Sequence, residues 1–284
     1  MKNILLIGKT GQVGWELQRT LAPLGRIHAI DYPEIDLADR DALCALLRSS
    51  QADIIVNAAA YTAVDQAEND EARAMAINAI APAILAEEAK KTGALLVHYS
   101  TDYVYDGKGN TAFTEQSPTG PLNVYGRSKL AGDQAIEAIG GRYLIFRTSW
   151  VYGRRGKNFL LTMLRLAQER EELRVVADQI GAPTWCRMIA EATSLALSSR
   201  SDLQGLFHLT STGETSWHGF TEAILELTHG QRERDPRLIG IPTSDYPLPA
   251  PRPHNSRLSC DALLNASGIA LPHWRDALAL CLDA

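Results

Sequence analysis

The stretch ILLIGKTGQVGWELQRTL, beginning at Ile4, constrains the fold more than any other part of the chain. An aliphatic run from Ile4 to Ile7 is followed at once by Gly8, Gly11 and Gly14 in a G-x-x-G-x-x-G arrangement, and then by a helical pattern. Glycine permits a tight strand-to-helix turn and close backbone approach to a pyrophosphate, while the helix amino terminus supplies free amides and a positive dipole end. An ordinary strand-to-helix turn would use the same residues. The position of this one at the head of an alternating α/β chain favours dinucleotide binding. The apolar run is too short for a signal h-region or a membrane span, so it reads as the first strand of the fold.

Behind this turn, short β-branched or aliphatic runs alternate with longer helical stretches. Strands are predicted at Ile4 to Ile7, Ile27 to Ile30, Ile54 to Asn57, Leu95 to Ser100 and Tyr143 to Phe146. Helices are predicted at Val13 to Leu24, Glu71 to Lys91 and Val124 to Ile139, where Ala, Leu, Glu and Lys dominate. Strand-helix alternation of this kind gives a Rossmann-type, doubly wound parallel sheet. After about Trp150 helices persist (158–169, 187–197, 217–227), but prolines accumulate from Pro236 to Pro253, implying a smaller, less regular α/β lobe. The expected division is a dinucleotide-binding domain over residues 1–150 and a mainly substrate-binding lobe over 151–284, with segments returning to the first. IPTSDYPLPAPRPHNSRLS is either a flexible linker or an ordered cleft wall, and long irregular segments inside compact domains favour the wall.

Composition narrows the partners. The 284 residues carry 45% hydrophobic side chains, enough for a substantial core. A formal net charge of −5, without any concentrated Lys/Arg run, argues against nucleic acid and anionic membranes as partners. Cys44, Cys186, Cys260 and Cys281 show neither C-x-x-C nor zinc-type spacing, so they read as reduced structural thiols of a cytoplasmic protein.

Asp31 ends the second predicted strand, where an acidic side chain can accept hydrogen bonds from an adenine-side ribose and repel a 2′-phosphate. Lys9 in the glycine loop opposes that charge, leaving both NADH and NADPH open. Asp36 and Leu37 follow in an I-D-L segment that either covers the adenine or caps a helix beginning near Arg40. HYSTDYVYDG starts at His98 and brings Ser100, Thr101 and Asp102 to the carboxyl end of a strand, where ligands of open α/β sheets bind. In NVYGRSKLAG, Tyr125 and Lys129 lie four residues apart and share one helix face. An unperturbed tyrosine titrates near pH ~10. A neighbouring ammonium would lower that value and make Tyr125 a usable general acid towards a carbonyl oxygen receiving hydride. Y-x-x-x-K is common on helix surfaces, but after a glycine loop and an S-T-D strand end the catalytic reading prevails.

Together GKTGQVG, VNAAAYTAVDQAE, HYSTDYVYDG, PLNVYGRSKLAG and FRTSWVYG resemble the extended short-chain dehydrogenase/reductases. The resemblance runs nearly the whole length, through DQIGAPTW, the Trp217-His218 pair and RPHNSRL, and is nearest to members that reduce dTDP-4-dehydrorhamnose. It implies an NAD(P)H-dependent reduction of the 4-keto group of dTDP-4-dehydro-L-rhamnose to dTDP-L-rhamnose, the last step of dTDP-rhamnose synthesis. It further implies that Tyr125 donates the proton, that Lys129 lowers its pKa and holds the nicotinamide ribose, and that Thr101 orients the carbonyl. Gly11, Gln12 and Val13 would meet the pyrophosphate, Asp31, Asp36 and Leu37 the adenosine half, and Ala60, Tyr61 and Thr62 the cofactor beyond the third strand. Thr62, Val64, Asp102, Tyr103 and Trp150 would line the sugar pocket, although Trp150 also suits a core aromatic.

The chemistry itself requires no metal, and no concentrated carboxylate motif commits the chain to one. Some relatives form magnesium-assisted dimers, so a homodimer with Mg2+ at its interface is an expectation by resemblance only; Glu191 is equally an ordinary surface charge. Related sugar-nucleotide dehydratases place a glutamate after the T-D pair. Tyr103 stands there instead, and a phenol is a poor carboxylate substitute as a base, which favours simple reduction. Two alternatives stay open: a reductase of another nucleotide-linked keto-deoxysugar, and a non-catalytic dinucleotide-binding regulatory subunit.

Overall fold

The computed structural model describes residues 1–199, 203–231 and 234–283. The first half lays down β1 (Lys2–Ile7), α1 (Gln12–Thr20), β2 (Gly25–Ile30), α2 (Arg40–Ser50) and β3 (Ile54–Asn57). It continues through α3 (Val64–Ala67), α4 (Glu71–Met75), α5 (Ala81–Thr92), β4 (Leu95–Thr101), α6 (Val124–Ile139) and β5 (Arg142–Thr148). The remainder contributes β6 (Val151–Tyr152), α7 (Phe159–Glu169), β7 (Glu172–Val176), β8 (Ile180–Gly181), β9 (Thr184–Trp185), α8 (Cys186–Ser199) and β10 (Gly205–His208). β11 (Thr215–Ser216), α9 (Trp217–Leu227), β12 (Arg237–Ile241), β13 (Asn255–Ser256), α10 (Asp261–Ser267) and α11 (Trp274–Asp283) complete the order.

The central sheet is six-stranded in the order β2-β1-β3-β4-β5-β10, and every pairing in it is parallel. Its strands alternate between two apolar faces. Ile4, Leu6, Ile54, Val56, Val97 and Phe146 pack with α1 and α8 on one side. Leu5, Ile7, Ile55, Leu96 and Ile145 pack with α2, α5 and Ile136 of α6 on the other. Near-continuous aliphatic strands are what burial of both faces demands. Strand order reverses between β1 and β3, so the crevice at their carboxyl ends is the expected ligand position of such a sheet.

β10 returns to this sheet from beyond residue 200, and α8 covers one of its faces. A separate core, built on Tyr152, Leu160, Met163, Leu173, Trp185, Phe220, Ile224 and Trp274, underlies a smaller lobe containing α7, α9, α11 and the β7-β12 pair.

Several boundaries differ from the sequence expectations. α1 stops at Thr20, before Leu24. The stretch expected as one helix from Glu71 is α4 and α5 joined by a π turn over Ala76–Ile80, with Pro82 in the first turn of α5. The α2 cap is Asp39, whose carboxylate accepts from Ala42 N, so the capping role considered for Asp36 falls three residues later. The proline-rich segment is an ordered wall: β13 pairs with β8, and Asn123 Nδ2 donates to Pro251 O at 2.9 Å.

Candidate active site

The glycine loop is shaped by close backbone approach. Gly8 adopts φ 93°, and a Cβ on Gly14 would lie 1.9 Å from the Gly8 carbonyl oxygen. Gly11 occupies the N-cap of α1 without a side-chain cap, so the first amides of that helix are left for an anion. These features fit a dinucleotide pyrophosphate. Gln12 is braced from the smaller lobe, accepting from Asn158 Nδ2 at 2.8 Å, and Val13 touches the cores of both lobes. Asp31 Oδ2 accepts from Thr10 N at 2.9 Å and from Thr10 Oγ1 at 2.5 Å, so this carboxylate also holds the loop in place. Lys9 pairs with Glu34 at 2.6 Å, which gives it a partner other than the Asp31 it was expected to oppose. Asp36 pairs with Arg73 at 3.4 Å, and Leu37 is buried among the side chains over β1 and β2.

Beyond β3, the segment Ala60, Tyr61 and Thr62 is clasped by one buried side chain. Asn78 Oδ1 accepts from Tyr61 N at 2.9 Å, while its Nδ2 donates to Tyr61 O at 3.0 Å and to Ser128 Oγ at 3.0 Å. The π turn is what aims Asn78 at this loop, as π turns commonly do at functional sites.

α6 seats unusually close to the strand end. Asn123 caps it by accepting from Gly126 N at 2.8 Å. A Cβ on Gly126 would lie 2.2 Å from Tyr103 O, and one on Gly132 2.1 Å from Asn78 O. The two glycines of NVYGRSKLAG therefore bring Tyr125 and Lys129 against the carboxyl end of β4. Thr101 Oγ1 donates to Asp102 Oδ1 at 3.0 Å and accepts from Tyr103 N at 3.2 Å, and its hydroxyl is near enough to that of Tyr125 to influence it. Tyr103 meets the Tyr125 ring edge-on, centroids 5.6 Å apart. Asp102 is raised to about 6 by burial, against hydrogen bonds that favour its carboxylate, and its Oδ2 has no partner.

Lys129 is directed inward. Its Nζ lies 3.1 Å from His98 Nε2 and donates to Tyr99 O at 2.6 Å. Burial lowers it to about 8, opposed by Asp133. The expectation that the ammonium lowers the Tyr125 pKa is not realised in this geometry. Burial raises that tyrosine, and the Thr101 hydroxyl is the group that opposes the rise. The physical reason is that both residues sit in a dehydrated layer that disfavours charge on either, though a lysine at about 8 stays mainly an ammonium at neutral pH. Beneath them lies a buried pair: Arg147 Nε meets Asp133 Oδ2 at 3.0 Å, and that oxygen also accepts from Ser100 Oγ at 2.8 Å. Arg147 reaches Tyr105 and through it His208, whose Nδ1 lies 3.0 Å from Ser259 O.

On the open side, a cavity of about 620 Å3 runs from Tyr103 along Phe159 and Trp217 to Arg174, with Gln179 and Arg252 on its wall. Trp150, at φ 49°, stacks on Trp217 with centroids 3.6 Å apart and planes 8° from parallel. Thus Trp150 backs a residue of the cavity wall. Thr62 is exposed on the loop after β3, and Val64 is half-buried at the start of α3. Arg252 Nη2 donates to Asp65 Oδ2 at 2.9 Å, tying the proline-rich wall to α3.

The sequence reading missed Asn57, Asn78, Asp133, Arg147, Asn158, Trp217 and Arg252 as site-supporting residues. A polar Asn78 in the alanine-rich stretch AINAIAPAIL was the one clear signal. The others acquire meaning only through contacts distant in sequence.

The chain is similar to known proteins over nearly its whole length. The family model described as the RmlD substrate binding domain matches residues 1–284. A dTDP-4-dehydrorhamnose reductase of Burkholderia thailandensis is 49% identical over 98% of this chain and 97% of that protein. One of Escherichia coli is 46% identical over 96% and 94%. The Bacillus anthracis dTDP-4-dehydrorhamnose reductase, solved in complex with NADP, superposes with a TM-score of 0.92 at 34% identity, covering 100% of this chain and 99% of that one. The Thermus thermophilus UDP-glucose 4-epimerase, at 19% identity and a TM-score of 0.81 over 99% and 97%, shares the fold.

Proposed function

The chain belongs to the dTDP-4-dehydrorhamnose reductase family, and from that premise we propose that Thr101, Tyr125 and Lys129 carry its reaction. It is an NAD(P)H-dependent oxidoreductase that reduces the 4-keto group of dTDP-4-dehydro-L-rhamnose to dTDP-L-rhamnose, the last step of dTDP-rhamnose biosynthesis. The bound dinucleotide supplies the hydride. Everything else falls to side chains of this chain.

The observation that carries the reading is the close seating of α6 on the carboxyl end of β4, which sets the Tyr125 ring edge-on to Tyr103, the residue whose amide is bound by Thr101. Burial keeps Tyr125 protonated, which suits a proton donor. An alkoxide is a stronger base than a phenolate, so transfer from the phenol to the developing sugar alkoxide runs downhill. On substrate entry the Thr101 hydroxyl turns its one proton from Asp102 Oδ1 to the carbonyl oxygen and orients it, and the Tyr125 hydroxyl donates to the same oxygen and gives up its proton as the alkoxide forms. Lys129 holds the nicotinamide-side ribose. Tyr103 closes the sugar pocket without offering the carboxylate base that dehydration needs. Asp102, Thr62 and Val64 face the sugar, Trp150 supports the wall through Trp217, and the nucleotide half follows the cavity towards Arg174.

For the dinucleotide, Gly8, Gly11, Gln12, Val13 and Gly14 hold the pyrophosphate, Asp31, Asp36 and Leu37 the adenosine side, and Ala60, Tyr61 and Thr62 the nicotinamide side. Residues 1–150 form the dinucleotide lobe and 151–284 mainly the substrate lobe. The enzyme works in the cytoplasm, as a homodimer whose response to Mg2+ is read by sedimentation. Among the described residues no helix is long and apolar enough to cross a membrane.

The test supplies dTDP-4-dehydro-L-rhamnose and follows nicotinamide absorbance. Tyr125→Phe keeps the packing but has no exchangeable proton, and should lose at least about 100-fold in kcat. Full activity in that variant would overturn the proton-donor role.

A further inference from the structure

Asp133 lies one helical turn beyond Lys129 on α6, so the two side chains share a face, and both are buried. The reaction as proposed makes no use of this carboxylate. Its Oδ2 accepts from Arg147 Nε at 3.0 Å and from Ser100 Oγ at 2.8 Å. Its Oδ1 is buried and has no hydrogen-bond partner among the described residues. A guanidinium does not give up its proton in a protein. Burial raises Asp133, but Arg147, Lys129 and the Ser100 hydroxyl all favour its ionised form, and both hydrogen bonds reach one oxygen only. A buried negative charge is thus held at a fixed point of the helix face that carries Tyr125 and Lys129. We propose that Asp133, held ionised by Arg147 and Ser100, is a positioning residue that keeps the reacting pair in its working state, a phenol on Tyr125 and an ammonium on Lys129.

A negative charge favours an ammonium and disfavours a phenolate, so one carboxylate acts on both residues in the required sense. Burial lowers Lys129 to about 8, and Asp133 is the group that opposes the fall. Burial, and then Asp102 and Asp133, raise Tyr125 against the Thr101 hydroxyl. Facing the pair are His98 of β4, at Lys129 Nζ, Glu137 of α6, Arg147 of β5, and Tyr105 and His208 behind that guanidinium. The other elements packed on α6 bring their charges to its backbone or outer face. Glu68, at the end of α3, accepts from Val124 N; Glu71 of α4 pairs with Arg127 at 3.9 Å; Lys90 of α5 donates to Ile139 O.

The proposal rests on the place given to Tyr125 and Lys129 in the reaction, and the kinetic arm of its test shares that premise; the spectroscopic arm does not. Full-length protein labelled with 15N-lysine, with Lys129→Met used for assignment, reports the Lys129 titration directly. Asp133→Asn keeps the shape and removes the charge, and should lower the Lys129 midpoint by about one pH unit. The alkaline limb of kcat should move down with it. Asp133→Glu keeps the carboxylate and should leave both near the parent values. A Lys129 midpoint unchanged in Asp133→Asn, or lowered equally in Asp133→Glu, would overturn the proposal. A midpoint that falls while the kinetic limb stays put supports the hold of Asp133 on Lys129 and overturns instead the place of Lys129 in the reaction. Should Asp133→Asn fail to fold, the 13C shift of the Asp133 carboxyl in the parent decides: a carboxylate at pH 7 is expected, and a protonated carboxyl there refutes the proposal.

Discussion

At the residue scale, the site is governed by how burial sets protonation. Asp102 is raised to about 6, chiefly by burial, from an ordinary 3.8. The folded protein therefore keeps a proton there that the unfolded chain has released, and the stability this confers is present below the ordinary value and is lost as pH rises through about 6. Asp102→Asn keeps the shape without the charge. Urea midpoints should show the variant gaining on the parent as pH rises from about 4 to about 7, by roughly 1–3 kcal/mol at the upper end. A variant that loses ground over that range would show that the carboxylate is favoured in the fold. Thr101, Tyr125 and Lys129 were legible in the sequence because a strand end and a four-residue helical spacing place them together. Their protonation was not, because it depends on how much water the surrounding lobe removes. Burial favours the neutral form of both Tyr125 and Lys129, and the lysine, at about 8, remains mainly an ammonium at neutral pH.

At the element scale, the unit that matters is the junction between α1 and α7. Asn158 caps α7 by accepting from Leu161 N at 3.1 Å, while its Nδ2 donates to Gln12 Oε1 at 2.8 Å and Gly153 O at 2.9 Å. One side chain thus joins the glycine loop to the helix whose Phe159, Thr162, Met163 and Leu166 wall the cavity. Asn158→Ala should cost about 1–2 kcal/mol through the lost cap, and should weaken dinucleotide binding several-fold because Gln12 loses its brace. Denaturant midpoints and a dinucleotide titration check the two parts separately, and unchanged affinity would detach the cofactor loop from α7. The sequence placed α7 from its pattern, since Asn158 precedes an amphipathic run. It did not show the bond to Gln12, because nothing local relates positions so far apart. The π turn at Ala76–Ile80 was hidden for a different reason: one extra residue in a helical turn leaves local propensity almost unchanged.

At the scale of the whole molecule, the cavity lies between a sheet built largely from the first half of the chain and a wall contributed by the second. Arg252 fastens that wall. It donates to Asp65 Oδ2 at 2.9 Å and to Ala250 O at 2.9 Å, and its side chain retains only 14% exposure. Arg252→Ala leaves Asp65 without this partner and loosens the segment that walls the cavity. We expect KM for the sugar nucleotide to rise about 10-fold, in line with loss of a charged hydrogen bond, while dinucleotide affinity stays as it was. Equal losses in both would mean that the contact supports the fold generally. Steady-state kinetics with each substrate varied in turn separates these outcomes.

The sequence by itself determined the sheet class, the tight glycine turn and the placement of Thr101, Tyr125 and Lys129 at the end of β4 and on one face of α6, because each is written in short-range patterns of size, periodicity and spacing. Tertiary structure alone decided the protonation of Tyr125 and Lys129, the bracing of Gln12 by Asn158, the stacking of Trp150 on Trp217, and the return of β10 and the proline-rich wall to the first lobe. These depend on dehydration and on contacts between distant segments, which no window of sequence contains.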